Sequence, residues 1–110
     1  MSLLKDKKCV PCEGDIEPLK REEFEKYLEQ VKDWQVIDDV QLLREFRFEN
    51  FKDVLEFVNK VAKVAEKEGH HPDIYIHDWN KVRFTLTTHA ISGLSINDFV
   101  MAVKIDLLNH

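Results

Sequence analysis

Several features are scarce in this chain of 110 residues, and each scarcity argues against a class of protein. No apolar run approaches the roughly 18 residues that a membrane-spanning helix needs, so we expect no membrane partner. Basic residues are outnumbered, sixteen against twenty-one acidic ones, and the formal charge of -5 argues against direct binding of nucleic acid. The first eight residues lack the apolar core of a secretory signal, which predicts a cytoplasmic protein.

Cysteine is represented only by Cys9 and Cys12, spaced as Cys-x-x-Cys. That spacing can supply half of a zinc site or a redox pair. A structural zinc needs four ligands, and neither a second cysteine pair nor a nearby His-x-x-His completes the set. No predicted strand precedes the pair, as a thioredoxin-like site would require. We interpret both residues as incidental thiols in an irregular N-terminal arm, residues 1–18, which proline and glycine interrupt.

The remaining residues, 19–110, are predicted to form a single domain in which hydrophobic periodicity alternates between the helical and the strand type. Asn50 is a suitable N-cap and Gly69 a suitable C′ residue for the longest helix. The predicted order is a helix over 20–32, strands over 34–37 and 42–48, a helix from Asn50 to Gly69, strands over 73–77 and 82–87, and a helix that starts at Ser95. Paired hairpins with helices on one face predict an α+β, two-layer fold with a four-stranded antiparallel sheet.

The final helix carries two apolar stripes. One comprises Ile96, Phe99, Val100, Val103 and Leu107, and the other comprises Met101, Ile105 and Leu108. A terminal helix on a small domain needs only one apolar face. The second stripe therefore predicts either a contact between copies of the chain or a helix that its own core covers on two sides.

Three of the five histidines lie at the two ends of the second predicted hairpin. Pro72 disfavours a helical conformation at His71, so His70 and His71 are expected in extended or turn backbone before the first strand. His89 follows the second strand. Because a hairpin brings its two ends together, His70 and His71 should lie near His89. His77 lies within the hairpin and is expected to have no part in a site.

A histidine cluster permits several kinds of chemistry. Adjacent residues of an extended chain point to opposite sides, so His70 and His71 are poorly arranged to share a metal ion, and no His-Glu-x-x-His occurs. Imidazoles can give and take protons near neutral pH, which favours acid–base catalysis. From the spacing alone, histidines that only pack and cap remain an equally good interpretation.

The same stretch resembles the signature of the pterin-4a-carbinolamine dehydratase family. The matching residues are Glu66-x-x-x-His70-His71-Pro72, Trp79, His89 and Asp98. Further segments are similar to family segments: Cys9-Val10-Pro11-Cys12-Glu13-Gly14, Asn80-Lys81-Val82, Thr85-Leu86-Thr87-Thr88-His89 and Gly93-Leu94-Ser95. The resemblance thus covers nearly the whole chain. Ile74 departs from it, because many members have a tryptophan two residues after the proline.

What the resemblance implies is a hydro-lyase with a four-stranded antiparallel sheet backed by helices. Family members remove water from 4a-hydroxytetrahydrobiopterin and related carbinolamines, and the quinonoid dihydropterin that results is recycled by a reductase. The reaction implies a pterin substrate, no cofactor and no metal, and the family implies a homodimer or homotetramer. By matching positions, the catalytic residues are His70, His71 and His89, and the substrate-binding residues are Pro72, Asp98 and Glu66. We expect His70 and His89 to form the acid–base pair and His71 chiefly to bind.

Other interpretations remain open. Asp98 also fits a helix-start residue that the helix dipole stabilises, and Glu66 also fits a solvated helical residue. The animal member of the family binds a homeodomain transcription factor as a dimerisation cofactor, so the final helix could serve a protein-binding role. An enzyme that acts on another pterin, as in molybdenum-cofactor metabolism, is a further alternative.

Overall fold

A computed structural model describes residue 4 and residues 7–9 and 17–109 of the chain. The described residues form three α-helices, four β-strands and one short 3-10 turn. In chain order these are α1 (Arg21–Leu28), β1 (Gln35–Ile37), β2 (Gln41–Arg47), α2 (Phe51–Glu68), β3 (Asp73–His77), β4 (Lys81–Leu86), the turn His89–Ile91, and α3 (Ile96–Leu108). None of the helices in these ranges has the length and apolar character needed to cross a membrane.

The four strands form one antiparallel sheet in the order β1-β2-β4-β3. Each hairpin turns through two non-glycine residues with positive φ, Asp38 and Asp39 in the first and Asp78 and Trp79 in the second. In the second hairpin Asp73 pairs with Thr85, so the residues before β3 lie beside those after β4. The predicted α+β fold with a four-stranded antiparallel sheet is confirmed.

Strand alternation places one face of the sheet in the core. Along β4 the buried residues Val82, Phe84 and Leu86 alternate with partly exposed ones. They pack in the same core cluster as the buried face of α2, which includes Val54 and Val61. The inward side chains of the strand recur every two residues and those of the helix every three or four. Both sets lie in the same core between helix and sheet.

Helix α2 begins and ends where its capping residues predict. The Asn50 side chain accepts a hydrogen bond from the backbone N–H of Asp53 at 2.8 Å, which satisfies one of the free donors of the first turn. Gly69 has φ +68°, and its N–H donates to the carbonyl of Ala65 at 2.8 Å. The left-handed glycine ends the helix and passes the chain directly to His70.

Helix α3 is buried on two sides. Phe99 and Val100 of the first stripe have no exposed surface, and neither do Met101 and Ile105 of the second. The expectation that the second stripe is an oligomer contact is therefore wrong for these two residues, because the core of their own chain already covers them. Only Leu107 remains widely open, at 53% exposure.

The C-terminal end of α3 is tied to the first hairpin through Asp106. Its carboxylate accepts hydrogen bonds from Trp34 Nε1 at 2.9 Å and from Arg44 Nη1 at 2.6 Å. Burial raises the pKa of Asp106, and these two donors oppose that shift. A half-buried carboxylate that keeps two such partners fixes the helix against the first hairpin.

The described part of the N-terminal arm packs on the helices. Leu4 has no exposed surface, and its N–H donates to Gln30 Oε1 at 2.9 Å. The N–H of Cys9 donates to Glu68 Oε1 at 2.9 Å. The interpretation of Cys12 as an incidental thiol lies outside the described residues, as does that of the other arm residues beyond 4, 7–9, 17 and 18.

Candidate active site at the open end of the second hairpin

His70 is held by a buried carboxylate. Its side chain is only 12% exposed, and its Nε2 lies 2.6 Å from Oδ1 of Asp98, which has no exposed surface. Gly69 sets the direction in which the chain leaves α2, and Ser95 sets where α3 begins. Two helix ends that the sequence specifies locally are thereby brought together by the tertiary fold.

Asp98 performs two tasks at once. Its Oδ2 accepts hydrogen bonds from the N–H of Ser95 at 3.0 Å and from Thr88 Oγ1 at 2.8 Å. The first completes the capping box of α3. Oδ1 remains for His70. Asp98 is therefore both the helix-start residue that its position after Ser95 allows and the hydrogen-bond partner of His70.

His89 lies immediately beyond β4, on a short closed loop. The N–H of Thr88 donates to the carbonyl of Gly93 at 2.9 Å, and the N–H of Gly93 donates back at 3.4 Å. His89 opens the 3-10 turn between these two residues and is exposed. Because Asp98 bonds both His70 and the residue before His89, the two ends of the hairpin meet at one carboxylate.

His71 is placed differently from its neighbour. Its Nε2 lies 2.9 Å from Oε1 of Glu66, and the two side chains are 60% and 79% exposed. An exposed pair of this kind contributes little to stability. Glu66 also borders a shallow groove along α2, together with Asn59, Ala62 and Lys63. Pro72, the last of the six site residues that the sequence predicts, lies directly before β3 and is half-buried.

His77 belongs to another part of the molecule. It lies at the far end of β3, where its Nε2 is 2.5 Å from Glu45 Oε1 and its Nδ1 is 3.1 Å from Asp78 Oδ2. The hydrogen bond from His77 is the leading cause that lowers the pKa of Asp78. The expectation that His77 takes no part in the site agrees with this separation.

Thr88 was not singled out by the sequence, although a signal for it exists. The buried residues of β4 are Val82, Phe84 and Leu86, so the next inward position is 88. A hydroxyl at an inward position needs a hydrogen-bond partner, because an unpaired buried polar group is costly. Thr88 is 4% exposed and meets that need at Asp98 and at Ser95 Oγ, 2.8 Å away.

Charged groups near His70 could bind a metal ion or form ion pairs. Within residues 4, 7–9 and 17–109, no three His, Cys, Asp or Glu side chains are placed to hold a metal ion. Glu68, two residues before His70, pairs with Lys104 Nζ at 2.8 Å. That hydrogen bond, followed by the one from the N–H of Cys9, lowers the pKa of Glu68.

Comparisons with known proteins agree on one family. Residues 17–108 match the model of the family described as pterin 4 alpha carbinolamine dehydratase. A protein of Rubrobacter xylanophilus, provisionally named a pterin-4-alpha-carbinolamine dehydratase, is 48% identical over 108 residues. The match covers 98% of this chain and 100% of that relative.

Solved structures support the same fold. A transcriptional coactivator/pterin dehydratase from Brucella melitensis superposes with a TM-score of 0.78 at 31% identity, over 84% of this chain and 99% of that one. A pterin dehydratase-like protein, described as a RuBisCO assembly factor in the alpha-carboxysome, gives a TM-score of 0.56. At 22% identity over 68% of this chain and 84% of that one, the second likeness concerns the fold alone.

Proposed function

The chain belongs to the pterin 4 alpha carbinolamine dehydratase family, and we propose that it removes water from 4a-hydroxytetrahydropterins of the tetrahydrobiopterin type by histidine acid–base catalysis. The C4a–O bond breaks, the N5–H proton leaves, and a C4a=N5 double bond forms. The products are water and a quinonoid dihydropterin, so the step involves no net oxidation. In the proposed role the product re-enters tetrahydropterin recycling.

The observation that carries the proposal is the pairing of His70 with the buried Asp98. An ionised carboxylate only accepts hydrogen bonds, so the proton between the two side chains resides on His70 Nε2. Nδ1 is then the ring nitrogen that exchanges a proton with substrate. Among the described residues no hydrogen-bond partner is found for it. This arrangement, in which a carboxylate fixes the tautomer of a histidine, is typical of general acid–base sites.

His89 supplies the second proton-transfer group in this proposal. Elimination of water needs a proton delivered to the departing hydroxyl and another removed from N5. Two imidazoles that approach the ring from different chain segments can serve these steps separately. We assign the pair to His70 and His89. His71, steered by Glu66, contributes to binding beside Pro72.

The test is the dehydration rate of freshly prepared 4a-hydroxytetrahydropterin, followed by its ultraviolet spectrum. Replacement of His70 or His89 by Ala is expected to lower kcat by about 100-fold or more, since each transfers a proton in the transition state. The matched control is His77→Ala, because His77 is also a partly buried histidine paired with carboxylates but lies at the far end of β3.

Near-wild-type turnover in the His70→Ala, His89→Ala double variant would refute the assignment of the pair. A large loss in His77→Ala would show that the wrong end of the hairpin had been chosen. No acceleration by the folded wild-type protein would refute the dehydratase proposal for this substrate. Saturation experiments with pterin analogues would then test the alternative of an enzyme on another pterin.

A protein-binding role is the second candidate. It is favoured by the Brucella melitensis match, whose protein is described as a transcriptional coactivator as well as a pterin dehydratase. Met101 and Ile105 of the final helix are buried in their own core and are unavailable for such a contact. A partner would therefore have to use other surface.

A further inference from the structure

Thr88 lies where the two proposed acid–base histidines are joined. Its side chain faces inward beyond the last buried residue of β4 and is 4% exposed. Its backbone pairs with Gly93 and closes the loop that carries His89. Its hydroxyl contacts Asp98, the carboxylate that holds His70. Thr88 thus contacts the carboxylate that holds His70 and also closes the loop that carries His89.

The direction of each hydrogen bond around Thr88 follows from the chemistry of its partners. An ionised Asp98 accepts at Oδ2, and the single hydroxyl proton of Thr88 is directed to it, over 2.8 Å. Ser95 Oγ, also 2.8 Å from Thr88 Oγ1, must then donate to Thr88. Ser95 Oγ in turn accepts from the N–H of Asn97 at 3.3 Å. The result is a directed chain that ends on the carboxylate.

A directed chain of this kind restrains Asp98. Each donor in it is polarised by the one before, and all of them lie in a region that excludes water. The two carboxylate oxygens are used differently, Oδ2 by Thr88 and the Ser95 N–H, and Oδ1 by His70. Loss of the Thr88 hydroxyl would leave the Ser95 N–H as the one remaining donor to Oδ2, so the orientation of the carboxylate would be less firmly held.

We propose that Thr88 is a positioning residue of the proposed dehydratase site, which orients Asp98 and thereby holds His70 in its Nε2–H tautomer with Nδ1 toward substrate. The inference rests on the proposed function. Thr88 touches neither the substrate nor the reacting atoms. Its effect should therefore fall on kcat, while substrate binding through His71, Glu66 and Pro72 is preserved.

The experiment compares Thr88→Val with Thr88→Ser in the full-length protein. Valine keeps the shape and the backbone pairing of threonine and replaces the hydroxyl with a methyl group. We expect kcat to fall by about 10-fold, the size of effect seen for partners that orient metal-bound histidines, with KM within about 2-fold of wild type. Serine restores the hydroxyl and should restore kcat. Thr85→Val, the same change on the open face of β4, is the matched control and should leave both constants unchanged.

A second readout does not depend on turnover. The imidazole ¹⁵N–¹H signal of His70 Nε2 should be sharp in the wild type and in Thr88→Ser, and should broaden through exchange with water in Thr88→Val. If Thr88→Val fails to fold, as judged by circular dichroism, Thr88→Ala is measured in the same way. The same expectations then apply to it.

The outcomes separate this inference from the function on which it rests. Wild-type kcat and a sharp His70 signal in Thr88→Val would overturn the role of Thr88 while the dehydratase remains. An equal loss in Thr85→Val, or no rescue by serine, would also overturn it. If the wild-type protein is inactive, the proposed function fails. If the His70 signal is also unchanged in Thr88→Val, the claim that Thr88 orients His70 through Asp98 is overturned as well.

Discussion

The carboxylate of Asp98 joins three parts of the fold, because it bonds His70, Thr88 and Ser95. It is buried without an arginine or lysine partner in the described contacts, and it is satisfied by hydrogen bonds from Ser95, Thr88 and His70. A buried carboxylate with this many donors is expensive to replace, because its partners would remain unpaired. The same residue therefore caps a helix and fixes a histidine.

Glu68 provides a residue-scale prediction about pH. Its hydrogen bond to Lys104, and then that from the N–H of Cys9, lower its pKa in the folded protein. The unfolded chain therefore binds the proton first as the pH falls. The stabilisation is complete above the unfolded pKa of Glu68 and is lost as the pH falls through its lower folded pKa.

We expect Glu68→Gln to flatten the dependence of the free energy of unfolding on pH in this acidic range, as measured by urea denaturation at a series of pH values. The control is Glu56→Gln, an exposed glutamate on the same helix with a weak 4.0 Å contact to Lys52. If Glu68→Gln and wild type show parallel pH curves, the linkage assigned to Glu68 is wrong.

At the scale of elements, helix α2 determines where His70 lies, because the chain reaches His70 directly after the helix ends. Its length of 18 residues places the N-cap at one end of the molecule and the histidine pair just beyond the other. The helix is anchored along its length by buried residues such as Val54, Val61 and Ala65. The N-cap at Asn50, which lies at the end of α2 away from His70, should therefore affect stability and leave the site geometry unchanged.

Asn50→Ala tests the role of the cap at the start of this helix. We expect a loss of about 1 kcal/mol in the free energy of unfolding, because the side chain no longer accepts from the N–H of Asp53. Urea denaturation provides the measurement, and Asn50→Ser should retain most of the stability. The rate constant for dehydration below the melting temperature should be unchanged. An unchanged free energy of unfolding in Asn50→Ala would contradict the capping role.

At the scale of the whole molecule, the core includes residues far apart in the chain. Leu4 lies in the same buried cluster as Phe24, Val31 and Phe99, and all four have almost no exposed surface. The described part of the arm is thus part of the packing of the protein. The homodimer or homotetramer that the family resemblance implies stays a prediction.

Leu4→Ala is expected to lower the free energy of unfolding by about 2–5 kcal/mol, since it removes a fully buried side chain and leaves a cavity. Leu107→Ala, the same change at a position that is 53% exposed, should cost about 0.5 kcal/mol or less. Thermal and urea unfolding of the two variants provide the comparison. Equal stabilities would show that Leu4 does not belong to the folded core in solution.

Local sequence patterns predicted most of the elements because the interactions that start and stop them are local. The caps Asn50 and Gly69 fix both ends of α2, and alternation fixes the inward face of β4. Boundaries were less accurate for α1, predicted over 20–32 and observed as Arg21–Leu28. There the apolar stripe continues to Val31, which is buried through a turn after the helix has ended.

The sequence by itself determined the order of helices and strands along the chain, the antiparallel pairing within each hairpin and the meeting of the two ends of the second hairpin, because hairpin pairing and turn chemistry act over short separations. Only the tertiary structure decided that Asp98 pairs with His70, since 28 residues separate them and several carboxylates were available. It also decided that Met101 and Ile105 lie inside the core and that Thr88 supports Asp98. Each of these depends on how α3 packs against the sheet, a non-local arrangement that no single stretch of residues specifies.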